Sequence, residues 1–389
     1  MSSRELPQEP IIPGLPDDLA LRCLARVSHG FHGVLETVSK KWREVMRGTE
    51  YANFKTREGW SGDWLFVLTE GSEDQWIAYD PEADRWHPIP KMPRTHPDWK
   101  HTGFSCVCAG DRFLVIGGAY APSDPWLPHE KPIITNEVYQ FDPFRKEWTA
   151  VSSMQTPRSH FACCVISGKV YVAGGHNLHC PRGLTLAECY DPLSNGWEEL
   201  PPMPNPQMYC LQCTGLSYNG KFHVLSNQVG LLDQNSAKVF CPLTGLWNTV
   251  EDILAFSRAM QVAVLVIEND CVYTIVDWGG SLIKTRDTAK GEWYNVGKVP
   301  SVFLPDYSQP LEVIGYGFAG LGHELYVMGG RVFKWEDSGA GRFYIVNLGL
   351  VRVCDPSKSP LKWCEKRPMC LTASGLIVGC ASLKESSAS

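Results

Sequence analysis

Two short stretches carry residue types that could hold a metal ion. His176-Asn177-Leu178-His179-Cys180 sets two imidazoles and a thiol within five residues, directly after Gly174-Gly175. Imidazole nitrogen and thiolate sulfur are donors that suit zinc or copper. No carboxylate accompanies this loop, and its histidines are equally suited to plain hydrogen bonding. Cys210-Leu211-Gln212-Cys213 has the two-residue spacing of a zinc site but lacks a second such pair. If Tyr209 to Gly215 opens a strand, positions three apart face opposite sides and cannot share one ion. Phosphate-binding glycine loops, a His-Glu-x-x-His helix and a Gly-x-Ser-x-Gly elbow are all absent. The sequence therefore predicts no catalytic residue, no metal and no cofactor.

The elements around the His176 loop are short alternating runs. Phe161 to Ile166 and Val170 to Ala173 are joined at Ser167-Gly168. After the loop come Ala187 to Pro192 and then Trp197 to Leu200. Four such runs separated by turn residues read as one antiparallel sheet. A single sheet cannot bury both faces, so it requires copies beside it.

The copies are present. A Trp closes each unit at Trp86, Trp148, Trp197, Trp247, Trp293 and Trp363, and an aromatic-Asp-Pro turn precedes three of them at Tyr79-Asp80-Pro81, Phe141-Asp142-Pro143 and Tyr190-Asp191-Pro192. Gly-Gly ends the second run at Gly117-Gly118, Gly174-Gly175 and Gly329-Gly330. This pattern, at a period near fifty, resembles kelch repeats, which implies four-stranded blades of a β-propeller. First strands are expected near Phe104, Phe161, Leu211, Val262 and Tyr316, and second strands near Leu65, Phe113, Val170, Phe222, Val272 and Leu325. The missing first strand is expected at Leu376 to Ala381, pairing beside Trp64 to Leu68. The expected fold is mostly β, a six-bladed propeller over residues 60–383, with its last strand at 374–383 closing blade one and tails at 1–10 and 384–389. The stretches Ala119 to Glu130 and Arg331 to Tyr344 read as long loops.

Composition narrows the partners. The chain is 44% hydrophobic and 20% charged, with a formal charge of −6 and a pI near 6.0. That excludes a general basic field for nucleic acid or anionic lipid. The apolar runs are too short to span a bilayer, and the first ten residues lack the apolar stretch of a signal peptide. Fifteen scattered cysteines suit free thiols in a reducing compartment. A cytoplasmic or nuclear location is expected.

Before the repeats, Asp17 or Asp18 can cap a helix in which Leu19, Cys23, Leu24 and Val27 share one face. His29-Gly30 interrupts it. Phe31, Val34, Leu35, Val38, Trp42, Val45 and Met46 form a second apolar stripe. So small a unit cannot bury this surface on itself, so the stripe covers either a partner or the chain's own larger domain. Leu15-Pro16-Asp17-Asp18-Leu19 with Val38-Ser39-Lys40-Lys41-Trp42-Arg43 resembles a plant-type F-box, assigned here to residues 11–48. Residues 49–59 read as a stiff helical connector.

The two resemblances together identify a member of the plant-type F-box/kelch-repeat proteins. They imply a substrate-recognition subunit of a Skp–cullin–F-box ubiquitin ligase, whose F-box holds a Skp-type adaptor and, through it, a cullin. The adaptor contacts so implied are Leu15, Pro16, Leu24, Val27, Val38 and Trp42, with Trp42 equally able to be internal core. The protein substrate is expected on the propeller rim at Arg158, Ser159, His160, His176, Asn177, Tyr209, Arg258, Trp278, Arg331 and Trp335. Arg and aromatic side chains are the types that dominate binding energy, although Arg258 could pair with a neighbouring acid and Trp278 could be core. An adaptor-binding scaffold outside a ligase, and a kelch metal enzyme using the His176 loop, are the alternatives.

Overall fold

The computed structural model describes residues 9–70, 72, 75–122, 131–204, 213–226, 237–250, 262–267, 271–276, 281–287, 291–305, 307, 309–335 and 343–385. Six antiparallel sheets form the blades of a propeller. From the inside outwards, blade 1 is Ile377–Leu383, Trp64–Thr69, Ile77–Asp80 and Arg85–Pro88. Blade 2 is Ser105–Ala109, Arg112–Ile116, Val138–Asp142 and Glu147–Val151, and blade 3 is Ala162–Ile166, Lys169–Ala173, Ala187–Asp191 and Gly196–Leu200. Blade 4 is Cys213–Tyr218, Lys221–Ser226, Ala237–Cys241 and Leu246–Val250, and blade 5 is Val262–Ile267, Cys271–Val276, Leu282–Arg286 and Trp293–Lys298. Blade 6 is Ile314–Leu321, Glu324–Trp335, Val351–Cys354 and Trp363–Glu365. Neighbouring innermost strands touch all round the ring, which closes where Ile377–Leu383 meets both Ser105–Ala109 and Ile314–Leu321.

The repeated residues have local physical reasons. The Asp of each turn accepts backbone N–H bonds from the residues that follow it: Asp80 from Glu82 and Ala83, Asp142 from Phe144 and Arg145, Asp191 from Leu193, Asp355 from Ser357. This side-chain turn joins the third strand to the fourth. Gly174 and Gly175 have φ of 70° and 76°, and a Cβ on Gly175 would lie 2.5 Å from the Ser159 carbonyl. The pair swings the chain off the second strand where no side chain fits.

The tryptophans join blades. The indole N–H groups of Trp148, Trp197, Trp247 and Trp363 donate to Pro90, Ser152, Pro201 and Lys298 carbonyls, each on the segment leaving the preceding blade. Trp86 does the same to Arg367 of blade 6. Beneath them the apolar core is a set of layers between blades. Phe66, Trp76 and Phe113 lie between blades 1 and 2, Leu114, Val170 and Tyr190 between 2 and 3, and Leu65, Tyr79 and Tyr326 between 6 and 1.

Two stretches read as loops are partly strand. Ala119–Pro122 pairs with Trp99–Thr102 and Ile133–Ile134 in a separate three-stranded sheet above blade 2. In blade 6 the second strand runs on past Gly330, and its Arg331–Trp335 half pairs with Phe343–Asn347 as a projecting ribbon. Backbone pairing needs only an extended partner of matching register, and neither stretch carries the alternation that marks a half-buried strand.

The helical module consists of α1 (Asp17–Ala25), α2 (His32–Leu35), α3 (Lys40–Arg47) and α4 (Thr49–Arg57). Helix α4 is part of this module's core: Tyr51 is buried with Ala20, Leu24 and Met46, and Phe54 packs alongside. The Tyr51 hydroxyl donates to the Leu24 carbonyl at 3.1 Å. Lys55 is buried and donates to the Ala25 and Val27 carbonyls at 2.7 and 3.0 Å, closing the C-terminal end of α1. Burial lowers its pKa to about 8.

Candidate protein-binding faces

Strand direction defines two faces of the propeller. The Gly-Gly exits and the first-strand entries lie at one end of the strands, the rim. The turns between third and fourth strands lie at the other end.

The helical module sits at the second end. His29 stacks on Trp64, where blade 1's second strand begins, with ring centroids 3.6 Å apart. Its Nε2 donates to the Asp63 carbonyl at 2.7 Å, and its Nδ1 lies 3.0 Å from His87 Nε2. Asp80 accepts from the Gly30 N–H at 2.7 Å and from the Ser28 hydroxyl. Arg85 covers the Phe31 ring, and Lys146 of blade 2 reaches Glu36 of the module at 2.6 Å. The His29-Gly30 break between helices, weak as sequence, is thus the contact by which the module grips blades 1 and 2. Gly30 is needed there because a Cβ would meet Asp80 Oδ2 at 2.8 Å.

The adaptor contacts separate by exposure. Leu24 is 3% exposed, inside the module core, so it is corrected from a contact to a packing residue. Trp42 is half-buried against that core, its indole donating to the Ile11 carbonyl at 2.7 Å. Leu15 and Val27 are half-buried, while Pro16 is exposed at the N-cap of α1. Val38 is 59% exposed, and Leu19 and Val34, which were not among the expected contacts, are also exposed apolar side chains of the module, at 45% and 50%. Their signal was the i, i+4 spacing of Val34 and Val38, which does not say which side faces inward. Beside Leu19 a groove of about 1230 Å³ runs between α1, α3 and α4, lined by Leu21, Val45 and Phe54 with Asp17, Lys41 and Arg57.

At the rim the expected residues also divide. Arg158 and Ser159 are both 0% exposed, and neither can touch a partner. Arg158 donates to Glu188 at 2.5 Å and to the Gly174 and Leu186 carbonyls, and Glu188 also accepts the Gln155 and Thr156 N–H groups. Such a bonded pair tolerates burial where a lone charge would not. The Ser159 backbone exchanges two hydrogen bonds with His176, and its hydroxyl lies 2.9 Å from His160 Nδ1.

His160 and His176 are half-buried with parallel rings 5.3 Å apart. Burial, and then the neighbouring His176, hold His160 below its ordinary pKa. Asn177 is occupied locally: its Nδ2 donates to the Pro157 carbonyl and its Oδ1 accepts the His179 and Cys180 N–H groups. Arg331 bonds Glu70 of blade 1 at 3.0 Å, across the ring-closing seam. Tyr209, Arg258 and Trp278 lie outside the described residues, as do Cys210 and the Trp335 side chain.

Among the described residues no cluster of three His, Cys, Asp or Glu side chains forms a metal site. Burial pushes the Cys106 thiol up to about 12 and raises Cys163 and Cys380 as well, the opposite of what a reactive thiolate needs. No helix among the described residues is long and apolar enough to cross a membrane.

The arrangement is therefore a helical module clasped to one end of a closed kelch ring. Residues 157–204 match the Kelch motif model. The chain is 62% identical over 380 residues to the F-box/kelch-repeat protein At1g16250 of Arabidopsis thaliana, covering 98% of each chain. It belongs to the F-box/kelch-repeat proteins. Two further Arabidopsis thaliana relatives are SKIP30, 36% identical over 58% of this chain and 63% of its own, and At1g67480, 30% identical over 63% of each. Both are F-box/kelch-repeat proteins by name. Within this family the N-terminal helices fit the F-box, and the ring is the kelch propeller.

Proposed function

We propose that this F-box/kelch-repeat protein is the substrate-recognition subunit of a Skp–cullin–F-box ubiquitin ligase. Its F-box, drawn at residues 11–48 and extended by α4, holds the adaptor and thereby the cullin. Its propeller, residues 60–383, holds the protein to be ubiquitinated, in the cytoplasm, the nucleus or both.

The observation that carries this reading is the placement of the two faces. Leu19, Val34 and Val38 expose apolar surface on the module. The module is locked to the far end of the same blade strands whose other end forms the rim. Six residues of extended strand, Trp64–Thr69, separate the ends by about 20 Å. A protein held at the rim is thereby presented at a set distance and angle from whatever the module holds. Proximity of that kind raises the effective concentration of the reacting groups with no catalytic residue in this chain.

At the rim, His160, His176 and Arg331 border the surface offered to the captured protein, together with the three-stranded sheet over blade 2 and the ribbon of blade 6. Asn177 shapes its loop, and Tyr209, Arg258, Trp278 and Trp335 complete the proposed set. Affinity purification of the tagged full-length chain from plant cells under proteasome inhibition tests the proposal. Recovery of adaptor, cullin and a ubiquitinated protein supports it, and recovery of the adaptor with no cullin overturns it in favour of a scaffold.

A further inference from the structure

The contact between module and propeller is built around groups that change charge. We propose that the His29–His87 pair is an acid-sensitive latch, which holds the module rigidly on blade 1 when both rings are neutral and releases it when they are protonated. The inference rests on the reading that rigid presentation is what the docking is for.

The geometry dictates the protonation states. The Asp63 carbonyl can only accept, so His29 Nε2 at 2.7 Å must carry a hydrogen. In the neutral ring Nδ1 is then a bare acceptor, and His87 Nε2, 3.0 Å away, is the donor that fits it. Two charged rings would point N–H bonds at each other across that gap. His29 is buried between Trp64 and His87, and His87 is half-buried beside it.

The charged groups around the pair do not offset two extra protons. Asp80, on blade 1's third strand, lies 3.8 Å from His29 Nε2, and its other oxygen is engaged by Ser28 and Gly30. Against it stand Lys55 of α4 and Lys146 of blade 2, with His32 of α2 close by. Glu36 is tied to Lys146 and Arg47, and Asp63 faces the pair with its carbonyl while its carboxylate accepts the Glu385 N–H. Burial lowers His29 to about 4, and burial followed by His29 lowers His87 to about 3.

The sign follows. A histidine depressed in the docked state favours docking fully above its free pKa near 6.5. For each such histidine the ratio of docked to released forms falls up to tenfold per pH unit between 6.5 and its docked value. Two act together, so between pH 6.5 and 5 the ratio drops by up to roughly a thousandfold. The propeller also buries His101 and His223 with lowered values, but six interblade layers hold it. Among the described residues the module meets the propeller at this junction, so it lets go first.

Small-angle scattering and amide exchange of the full-length protein from pH 7.5 to 5 test the latch. The expected result is a rising maximum dimension and lost protection of the Gly30 amide, while the blade strands stay protected. His87→Gln, neutral at every pH, is expected to shift that opening to lower pH by about one unit. An unchanged scattering profile in the wild type down to global unfolding overturns the proposal. So does an opening whose midpoint is the same in H87Q. A failed proposal here with adaptor and cullin still recovered would leave the ligase reading standing.

Discussion

The indole N–H of Trp86 donates to the carbonyl of Arg367, 2.8 Å away and 281 residues later in the chain. The bond crosses the seam where the ring closes, next to the pairing of Trp64–Thr69 with Ile377–Leu383. Trp86→Phe keeps most of the apolar ring and removes one hydrogen bond, so a loss of about 1 kcal/mol in unfolding free energy is expected. Removal of residues 371–389 takes away the innermost strand of blade 1 and opens two core layers. The truncated protein is expected to melt at least 10 °C lower or to aggregate. Thermal unfolding followed by circular dichroism distinguishes the two effects, and an unchanged melt of the truncation would contradict the closure.

Arg158 and Glu188 make a different kind of contact, a charge pair with no exposure to water. Arg158→Met leaves Glu188 buried and uncompensated, at an expected cost of about 3–5 kcal/mol. A conservative change at the exposed His179 is expected to leave stability within about 0.5 kcal/mol. Denaturant titration reads both. If R158M unfolds at the wild-type midpoint, the pair is not the structural element described.

The module offers a separation of binding from folding. Val38→Asp and Leu19→Asp change exposed positions and should leave the melting curve within about 0.5 kcal/mol while abolishing adaptor capture. Leu24→Ala hollows the core and should cost about 2–5 kcal/mol whether or not an adaptor is present. Pull-down with purified adaptor beside a melting curve checks all three, and full capture by V38D would remove Val38 from the interface.

Gly30 tests the docking itself. A side chain at this position meets Asp80 Oδ2 at 2.8 Å and its Cβ at 3.1 Å, so Gly30→Val is expected to detach the module at neutral pH with both units folded. Proteolytic cleavage within residues 58–63 should accelerate at least tenfold relative to wild type. Equal cleavage rates would mean that other contacts hold the module unaided.

How much was legible depends on the range of the force involved. Trp197, Asp191 and Gly174-Gly175 recur because each solves a local problem in every blade, so they are visible as spacing. His29-Gly30 occurs once and reads as a broken helix, because its partners Trp64, Asp80 and His87 lie dozens of residues away. Arg158 looked like a rim residue for the same reason: residue type and position before a strand do not reveal that Glu188 and two carbonyls enclose it. The strands at Ala119–Pro122 and Phe343–Asn347 were hidden because they are additions to the four-stranded blade plan and follow no period.

The sequence by itself determined the repeat, the number of blades and the presence of a helical module, since these follow from periodicity and turn chemistry, while the family followed from the resemblance of its motifs. Only the tertiary structure decided which apolar residues of the module remain outside, that the module is clamped to blades 1 and 2, and that it lies at the opposite end of the strands from the rim. Burial and orientation are properties of the packed whole. An amphipathic stripe shows that a face will be covered, and the neighbours that fold against it decide by what.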